Sequence, residues 1–225
     1  MKPRLIIEQS AIDLGVGNAC ALVIQGIKVV SDQSFSALLT ENLNRVGEQL
    51  SALTSSSVYN GFALQLQQMG YPHTVSANEK ILKNFISRGV RSINNVVDAY
   101  NAVAIRHGVS IGVHDYHHAD DIRVFRTPQP FAFRPLFAKK DIAVPTGDLV
   151  YACGEKVLAC IGKTDADAHD FRLTEKTSTL VAIVLGHQHT SMAFNRAVLE
   201  ELQAVLGQRL PGLSHYFLER EVATG

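Results

Sequence analysis

Apolar residues in the first half of the chain recur first with strand-like and then with helical spacing. A run of β-branched and apolar residues at 20–30 predicts a buried strand. Leucines and valines within 38–53 share one helical face, and a second helix is predicted over 58–69. A third helix starts with Ser76 and Glu79, whose spacing predicts a capping box in which each side chain satisfies a free backbone N–H.

The second half of the chain changes to strand-like patterns. Residues 121–127 predict a strand, a proline-bearing loop follows at 128–145, and a hairpin is predicted around 154–155. The continuous apolar run 179–186 predicts a central strand, and apolar spacing at 191–206 predicts a last helix. Helices come first and strands second, without βαβ alternation, which favours the α+β class.

The composition is that of a globular protein without an obvious electrostatic partner. The chain has 225 residues, of which 46% are hydrophobic and 19% charged, enough to bury a core. Lys plus Arg (21) equals Asp plus Glu (21), so no overall field attracts nucleic acid or a membrane, which still allows a small basic patch. Neither DNA nor a membrane is an expected partner. Three cysteines without C-x-x-C spacing argue against a disulfide framework. No apolar run reaches the roughly 18 residues of a membrane span, and a cytoplasmic location is expected.

A helix predicted over 92–108 carries short polar side chains where Glu, Lys or Ala are the better helix formers. On a helical wheel, Asn94, Asp98 and Asn101 form one stripe at the edge of the apolar face, whereas Asn95 points to water. Such side chains either satisfy backbone groups of neighbouring turns or line a polar pocket. The pattern alone leaves both interpretations open.

A histidine-rich turn is predicted directly after this helix. His114, Asp115, His117 and His118 lie within five residues, which suggests a metal site because His and Asp bind zinc and iron. The spacing matches no H-E-x-x-H pattern, so we expect neither a metal nor another cofactor. The chain also has neither a G-x-S-x-G nucleophile elbow nor a glycine-rich phosphate loop.

The order of these features resembles the editing module of the phenylalanyl-tRNA synthetase β subunit. The likeness covers roughly residues 58–186, from N-N-V-V-D-A-Y-N-A-V-A-I-R-H-G through D-I-R-V-F-R-T and T-G-D-L-V-Y to L-T-E-K-T-S-T-L-V. The synthetase's catalytic and anticodon-binding domains have no counterpart, which suggests a free-standing relative. The matching positions are Asn94, Asn95, Val97, Asp98, Asn101, Gly108, Asp115, Gly147, Asp148, Thr174 and Thr177.

The resemblance implies an α+β protein built as a three-layer sandwich, with a mixed β-sheet and flanking helices. Residues 58–190 are expected to form the core that resembles the editing domain. Residues 1–57 are expected to complete it with a strand and a helix, and residues 191–225 to add a C-terminal helix and tail, as one unit.

The resemblance also implies an activity, which is hydrolysis of the ester that links a wrong amino acid to tRNA. The expected partners are the tRNA acceptor end, aminoacyl-tRNA or a free amino acid. Asn101 matches a pocket residue, and His114 is the candidate general base because histidine titrates near neutral pH. The remaining candidate substrate-binding residues are Asn94, Asp98, Gly112, Asp115, Gly162 and Thr177.

Two positions depart from the family pattern. Gly112 stands where bacterial synthetases carry a histidine. Ile183 stands where the family has the acidic residue that meets a tyrosine hydroxyl, and its loss argues against selection of tyrosine. Two other functions therefore stay open: a non-catalytic module that binds a tRNA end or an amino acid, and a metal-dependent small-molecule hydrolase.

Overall fold

The computed structural model describes residues 2–117 and 120–223, which form seven α-helices and twelve strands. The helices are α1 (Gln9–Ile12), α2 (Ser36–Glu48), α3 (Leu50–Ser55), α4 (Ser57–Gln68), α5 (Ala77–Arg88), α6 (Asn95–His107) and α7 (Met192–Gly207). The strands are β1 (Arg4–Glu8), β2 (Cys20–Gln25), β3 (Gly112–Asp115), β4 (Ile122–Arg126), β5 (Phe131–Phe133), β6 (Ile142–Val144), β7 (Leu149–Cys153), β8 (Lys156–Ile161), β9 (Ala166–Asp167), β10 (Thr179–Val184), β11 (Ser214–Phe217) and β12 (Glu219–Ala223).

The elements stack in three layers. The middle layer is an antiparallel sheet in the order β11-β2-β10-β3, with α6 and α7 on one side. A mixed sheet in the order β12-β1-β4-β7-β8-β9 covers its other side. This arrangement confirms the predicted α+β class and layered sandwich, and two of the three layers are sheets.

The middle strand β10 explains why its apolar run does not alternate with polar residues. Leu180, Ala182 and Val184 pack against the helices, whereas Val181 and Ile183 pack against the mixed sheet. Both faces of the strand are therefore buried. A strand that is buried on both faces has an unbroken apolar sequence. The prediction of a central strand over 179–186 is confirmed.

The helix predicted over 38–53 is divided into α2 and α3, and the predicted capping box before α5 is wrong. The Ser76 hydroxyl donates to Asn78 Oδ1 (2.6 Å) instead of accepting from the helix. Asn78 is buried and donates to the carbonyls of Tyr59 and Gly108, at 3.0 Å each. Ser76 therefore orients an amide that joins α4 to the end of α6.

Asn95 does not point to water, contrary to the wheel. The side chain is buried, accepts from the Val30 N–H (3.0 Å) and donates to the Lys28 carbonyl (2.8 Å). Ala99, one turn on, is also fully buried. The wheel failed because α6 is enclosed on several sides by α2, α7 and the middle sheet, so that it has no wide solvated face.

Both ends of the chain contribute strands to the sheets. β1 pairs in parallel with β4 and with β12, and β11 pairs with β2. Residues before 57 and after 191 therefore share sheets with the segment 58–190. The loop predicted over 128–145 contains the hairpin β5–β6. No helix in the part of the chain that the structure describes is long and apolar enough to cross a membrane.

Candidate functional site

A cavity of about 270 Å³ lies between the helical layer and the two sheets. Helices α4, α5 and α6 form one side, and residues of β3, β7, β8, β9 and β10 with their flanking turns form the other. Its deep wall is apolar and comprises Phe62, Leu66, Ile81, Ile111, Ile161, Ile183 and Leu185. Such an apolar wall with a few polar groups is the usual character of a small-molecule site.

Asn101 is the member of the polar stripe that faces this cavity. Its side chain is only 8% exposed, and its amide forms no hydrogen bond with residues 2–117 or 120–223. Tyr100, its neighbour on α6, also lines the cavity. A nearly buried amide normally has a partner within the protein. The Asn101 amide is therefore available to a ligand in the cavity.

Asn94 and Asp98 lie elsewhere and satisfy backbone groups. The Asn94 side chain caps α6 by accepting from the Val97 N–H (2.9 Å). Asp98 is buried and accepts from the Ile93 N–H (3.0 Å) and the Ser92 hydroxyl. Neither residue lines the cavity, so the stripe divides into one cavity residue and two that hold the start of the helix.

His114 lies in strand β3, not in a turn, and is buried behind the cavity wall. Its Nε2 is 2.9 Å from the Tyr151 hydroxyl, and Tyr151 itself lines the cavity. Burial lowers the pKa of His114 to about 3, so the ring is neutral near pH 7. The same Nε2 lies 3.9 Å from Asp167 Oδ1. The histidine does not line the cavity itself, and it can influence a ligand through two residues that do, Tyr151 and Asp167.

Gly112 is the residue over which the Tyr151 ring lies. A Cβ at position 112 would be 2.2 Å from the Tyr151 hydroxyl oxygen and 3.1 Å from His114 Nε2. Any side chain there would expel the tyrosine from its position. The space in which the resemblance led us to expect a histidine is thus filled by Tyr151, a residue that sequence patterns did not single out.

Three charged residues at the cavity were also missed by sequence analysis. Asp165 Oδ2 lies 3.6 Å from Lys80 Nζ, and burial raises the pKa of Asp165 while Lys80 opposes this shift. Desolvation by the surrounding protein raises the pKa of Asp167 to about 6, although 45% of its side chain is exposed. The two-residue spacing of Asp165 and Asp167 was the available signal, because side chains two apart in an extended segment share a face.

A family model described as the B3/4 domain matches residues 69–201, more than half of the chain. The chain belongs to the B3/4 domain family. The match confirms the predicted relationship and includes every cavity residue except those from α4. No curated protein matches the sequence of this B3/4 domain.

Among solved structures, the B3/4 domain is similar to an N-terminal fragment of the phenylalanyl-tRNA synthetase β-subunit from Pyrococcus horikoshii. The TM-score is 0.55 at 13% sequence identity. The similarity covers 99% of this chain and 53% of the fragment, so the chain spans about half of the fragment's length. At this identity the likeness shows a shared fold.

Gly162, a predicted substrate-loop glycine, lies against a buried carboxylate of the B3/4 domain. A Cβ at this position would be 2.3 Å from Cγ of Asp148. Asp148 is fully buried and accepts from the Tyr71 hydroxyl (2.6 Å) and the Lys163 N–H (3.0 Å). Gly162 thus allows the loop after β8 to close on Asp148, beside the cavity wall.

The two remaining predicted residues lie outside the cavity lining. Asp115 interacts with His117 at 3.3 Å, at the end of β3. Thr177 is buried, and its hydroxyl accepts from the Thr174 N–H (3.0 Å) in the turn before β10. Both side chains serve the local structure of the loops that flank the middle sheet.

The predicted histidine cluster extends beyond what the structure covers. His118 lies outside the described residues. Among residues 2–117 and 120–223, no group of three His, Cys, Asp or Glu side chains is placed to hold a metal ion. His187, which follows β10, contacts the Val58 carbonyl (2.8 Å) through Nε2. The three cysteines, described completely, are free and buried.

Proposed function

We propose that this B3/4 domain binds the aminoacylated acceptor end of tRNA and hydrolyses the ester of a mischarged amino acid. The observation that carries the proposal is the unpartnered Asn101 amide facing an apolar cavity with carboxylates at its mouth. The family match and the fold shared with a phenylalanyl-tRNA synthetase β-subunit fragment support a tRNA-related role.

The cavity has the chemistry that an aminoacyl ester requires. Its volume of about 270 Å³ is near the lower end of small-molecule sites, which suits an amino acid. The α-ammonium group of the ester is a cation, and Asp165 supplies the opposite charge. The apolar wall accommodates the amino-acid side chain, whose burial favours binding.

The wall also bears on which amino acid is bound. Ile183 is 1% exposed and lines the cavity at the position where the resemblance led us to expect an acidic residue. Leu66 and Leu185 extend the same apolar surface. This wall position therefore lacks the carboxylate that would select the phenol group of tyrosine. We propose that the cavity prefers an amino acid with an apolar side chain.

Hydrolysis requires a base for the attacking water. Asp167, with its pKa raised to about 6, is ionised near pH 7 yet basic enough to accept a proton. The water oxygen bonds to the ester carbonyl carbon as Asp167 takes the proton. The tetrahedral intermediate then expels the ribose oxygen, which takes the proton that Asp167 had accepted. The Asn101 N–H groups stabilise the oxyanion, and His114 acts as a positioning residue through Tyr151.

A deacylation panel tests this proposal. Release of amino acid is measured from correctly charged and mischarged tRNAs, in the presence of a chelator and with the uncatalysed rate subtracted. We expect release from tRNA carrying an apolar, wrong amino acid, and a loss of at least about tenfold in Asn101→Ala, comparable to removal of an oxyanion donor. Release from none of the charged tRNAs contradicts the proposal. Activity that the chelator abolishes favours the metal-dependent hydrolase.

One observation favours a second candidate, a non-catalytic amino-acid binding module. Lys80 and Asp165 form an ammonium–carboxylate pair at the cavity, separated by 3.6 Å. Such a pair complements the carboxylate and ammonium groups of a free amino acid. Calorimetric titration with free amino acids distinguishes the two, because tight binding without any deacylation supports the module.

A further inference from the structure

The loop between β5 and β6 displays an aromatic ring to solvent. Phe137 is 87% exposed, and it is the non-glycine residue with a positive φ (63°) in the described part of the chain. A bulky residue seldom adopts this left-handed conformation, and both the strain and the exposure oppose folding. Because exposing the ring in this conformation is unfavourable for folding, we consider Phe137 a candidate residue for contact with a binding partner.

This loop is joined directly to the mouth of the cavity. The Leu136 N–H donates to the carbonyl of Asp167 (2.7 Å), whose side chain lines the cavity. The His169 N–H donates to the carbonyl of Arg134 (2.8 Å), and Pro135 forms a bridge with Ala168. These contacts fix the base of the loop beside the Asp167 segment. Phe137 directly follows Leu136, whose backbone is hydrogen-bonded to a residue of the cavity lining.

Two lysines beside the ring carry unpaired positive charge. Lys139 and Lys140 are exposed, and neither forms an ion pair with the described residues. Arg134, at the base of the loop, is neutralised by Asp141 at 3.4 Å. Lys163 adds another exposed ammonium group, on the loop that carries the cavity residue Asp165. Lys139, Lys140 and Lys163 are thus exposed cations on the two segments that the Leu136–Asp167 and Arg134–His169 hydrogen bonds join.

We infer that Phe137, Lys139 and Lys140 form a docking surface for the single-stranded 3′ end of an aminoacyl-tRNA, whose aminoacyl group enters the cavity. This inference rests on the proposed function. The ring stacks on an unpaired base, and the lysines contact the phosphates on either side of it. Stacking on an exposed aromatic side chain beside cations is how proteins bind single-stranded nucleic acid.

The surroundings of the ring favour RNA over other partners. A protein-binding hot spot is an aromatic residue at the centre of an apolar patch. The exposed residues of this loop besides Phe137 are instead charged: Arg134, Lys139, Lys140 and Asp141. A membrane contact needs a larger buried apolar area than one ring provides. The neutral net charge of the whole chain does not oppose this inference, because Lys139 and Lys140 supply a local positive charge in this loop.

Fluorescence anisotropy with two labelled RNA hairpins tests the inference. Both hairpins copy a tRNA acceptor stem, and only one keeps the unpaired 3′ nucleotides. We expect the wild-type protein to prefer the hairpin with the unpaired end by about tenfold, consistent with stacking of one or two bases. Phe137→Ala should remove this preference and Phe137→Trp should retain it. Ile86→Ala, which removes another exposed apolar side chain, is the matched control.

The lysines have their own readout in the salt dependence. Lys139→Gln with Lys140→Gln should lower the slope of log Kd against log salt by roughly 0.7 per lysine. Equal affinity of wild type and Phe137→Ala for the single-stranded end overturns the inference. The same holds if wild type binds anionic vesicles through Phe137 but fails to bind the RNA.

Failure of this inference is distinguishable from failure of the proposed function. Aminoacyl-adenosine carries the ester but lacks the preceding nucleotides, so its hydrolysis by the wild-type protein tests the catalytic proposal separately from RNA docking. If the protein hydrolyses this small ester but binds the RNA equally well with and without Phe137, the docking surface alone is overturned. Phe137-dependent RNA binding without hydrolysis of any ester retains the docking surface and overturns the catalytic proposal.

Discussion

The Tyr151 hydroxyl occupies the space beside Gly112 that any side chain at position 112 would need. The distance from the hydroxyl oxygen to an added Cβ would be 2.2 Å. The same hydroxyl is 2.9 Å from His114 Nε2, so one contact holds β3 against β7 at the wall of the cavity. This packing makes the glycine a structural requirement of the site.

Gly112→Ala should destabilise the fold by about 1–3 kcal/mol, the usual effect of overpacking a dense interior. Urea unfolding measures the change in the free energy of unfolding. Gly47→Ala is the control, since a Cβ on this α2 residue meets nothing within 4 Å, and alanine should be neutral or stabilising there. Equal stability of Gly112→Ala and wild type would show that Tyr151 moves freely.

Asn101→Ala should separate function from stability. The amide has no partner within the described residues, so its removal should change the free energy of unfolding by less than about 0.5 kcal/mol, while deacylation falls at least about tenfold. Asn42→Ala is the matched control, because the buried Asn42 amide donates to the Ala102 carbonyl (2.9 Å) on α6.

The Asn42 variant should show the opposite pattern. Loss of this hydrogen bond costs about 0.5–1.5 kcal/mol of stability, because the Ala102 carbonyl keeps only its partner within helix α6. The catalytic rate constant should stay close to that of the wild type. The assignment of Asn101 to the ligand fails if its variant resembles the Asn42 variant in both measurements.

Acid should destabilise the protein through His114. Burial lowers the pKa of this histidine to about 3, whereas an unfolded histidine titrates near 6.5. Between these values the unfolded state binds a proton that the folded state does not, so stability falls as the pH falls through this window. Unfolding measured from pH 7 to pH 4 should show a shallower decline in His114→Gln. An unchanged decline would assign the acid sensitivity to other groups.

The deacylation rate should rise with pH through the titration of Asp167. Burial raises the pKa of this carboxyl to about 6, and the ionised form is the one that accepts the proton of the attacking water. The rate above the uncatalysed background should therefore increase up to about pH 7 and then level off. Asp167→Asn should remove this rise and lower the rate by at least about a hundredfold.

Asp170→Asn is the control for that experiment. Asp170 lies three residues further along the chain, and 74% of its side chain is exposed. It does not line the cavity, so its substitution should leave both the rate and the pH profile as in wild type. A profile that keeps its rise in Asp167→Asn would identify a different base.

Local patterns were sufficient for the elements whose burial is uniform along the chain. β10 is buried on both faces, and its unbroken apolar run predicts this burial. β1 and β12 carry no comparable signal, because their pairing joins residues more than 200 positions apart. Pairing between distant segments is set by the tertiary fold, which a local window does not contain.

The candidate site was predictable only in part for the same reason. A helical wheel places Asn94, Asp98 and Asn101 on one stripe, but it does not tell how far along α6 the cavity extends. The first two lie at the helix start, where free N–H groups and loop backbone bind short polar side chains. Tyr151 and Asp167 belong to strands of the mixed sheet. Only the order of these strands in the structure shows that both residues lie at the same cavity as α6.

The proposed role of the cavity depends on its binding the aminoacyl end of tRNA, whether or not the ester is cleaved. Calorimetric titration with a non-hydrolysable adenosine that carries an apolar aminoacyl group through an amide bond measures this binding alone. We predict saturable binding at one site, weakened about tenfold or more in Asn101→Ala and unchanged in Asn42→Ala. The absence of binding to the wild-type protein, or equal affinity for wild type and Asn101→Ala, would contradict the assignment of this cavity.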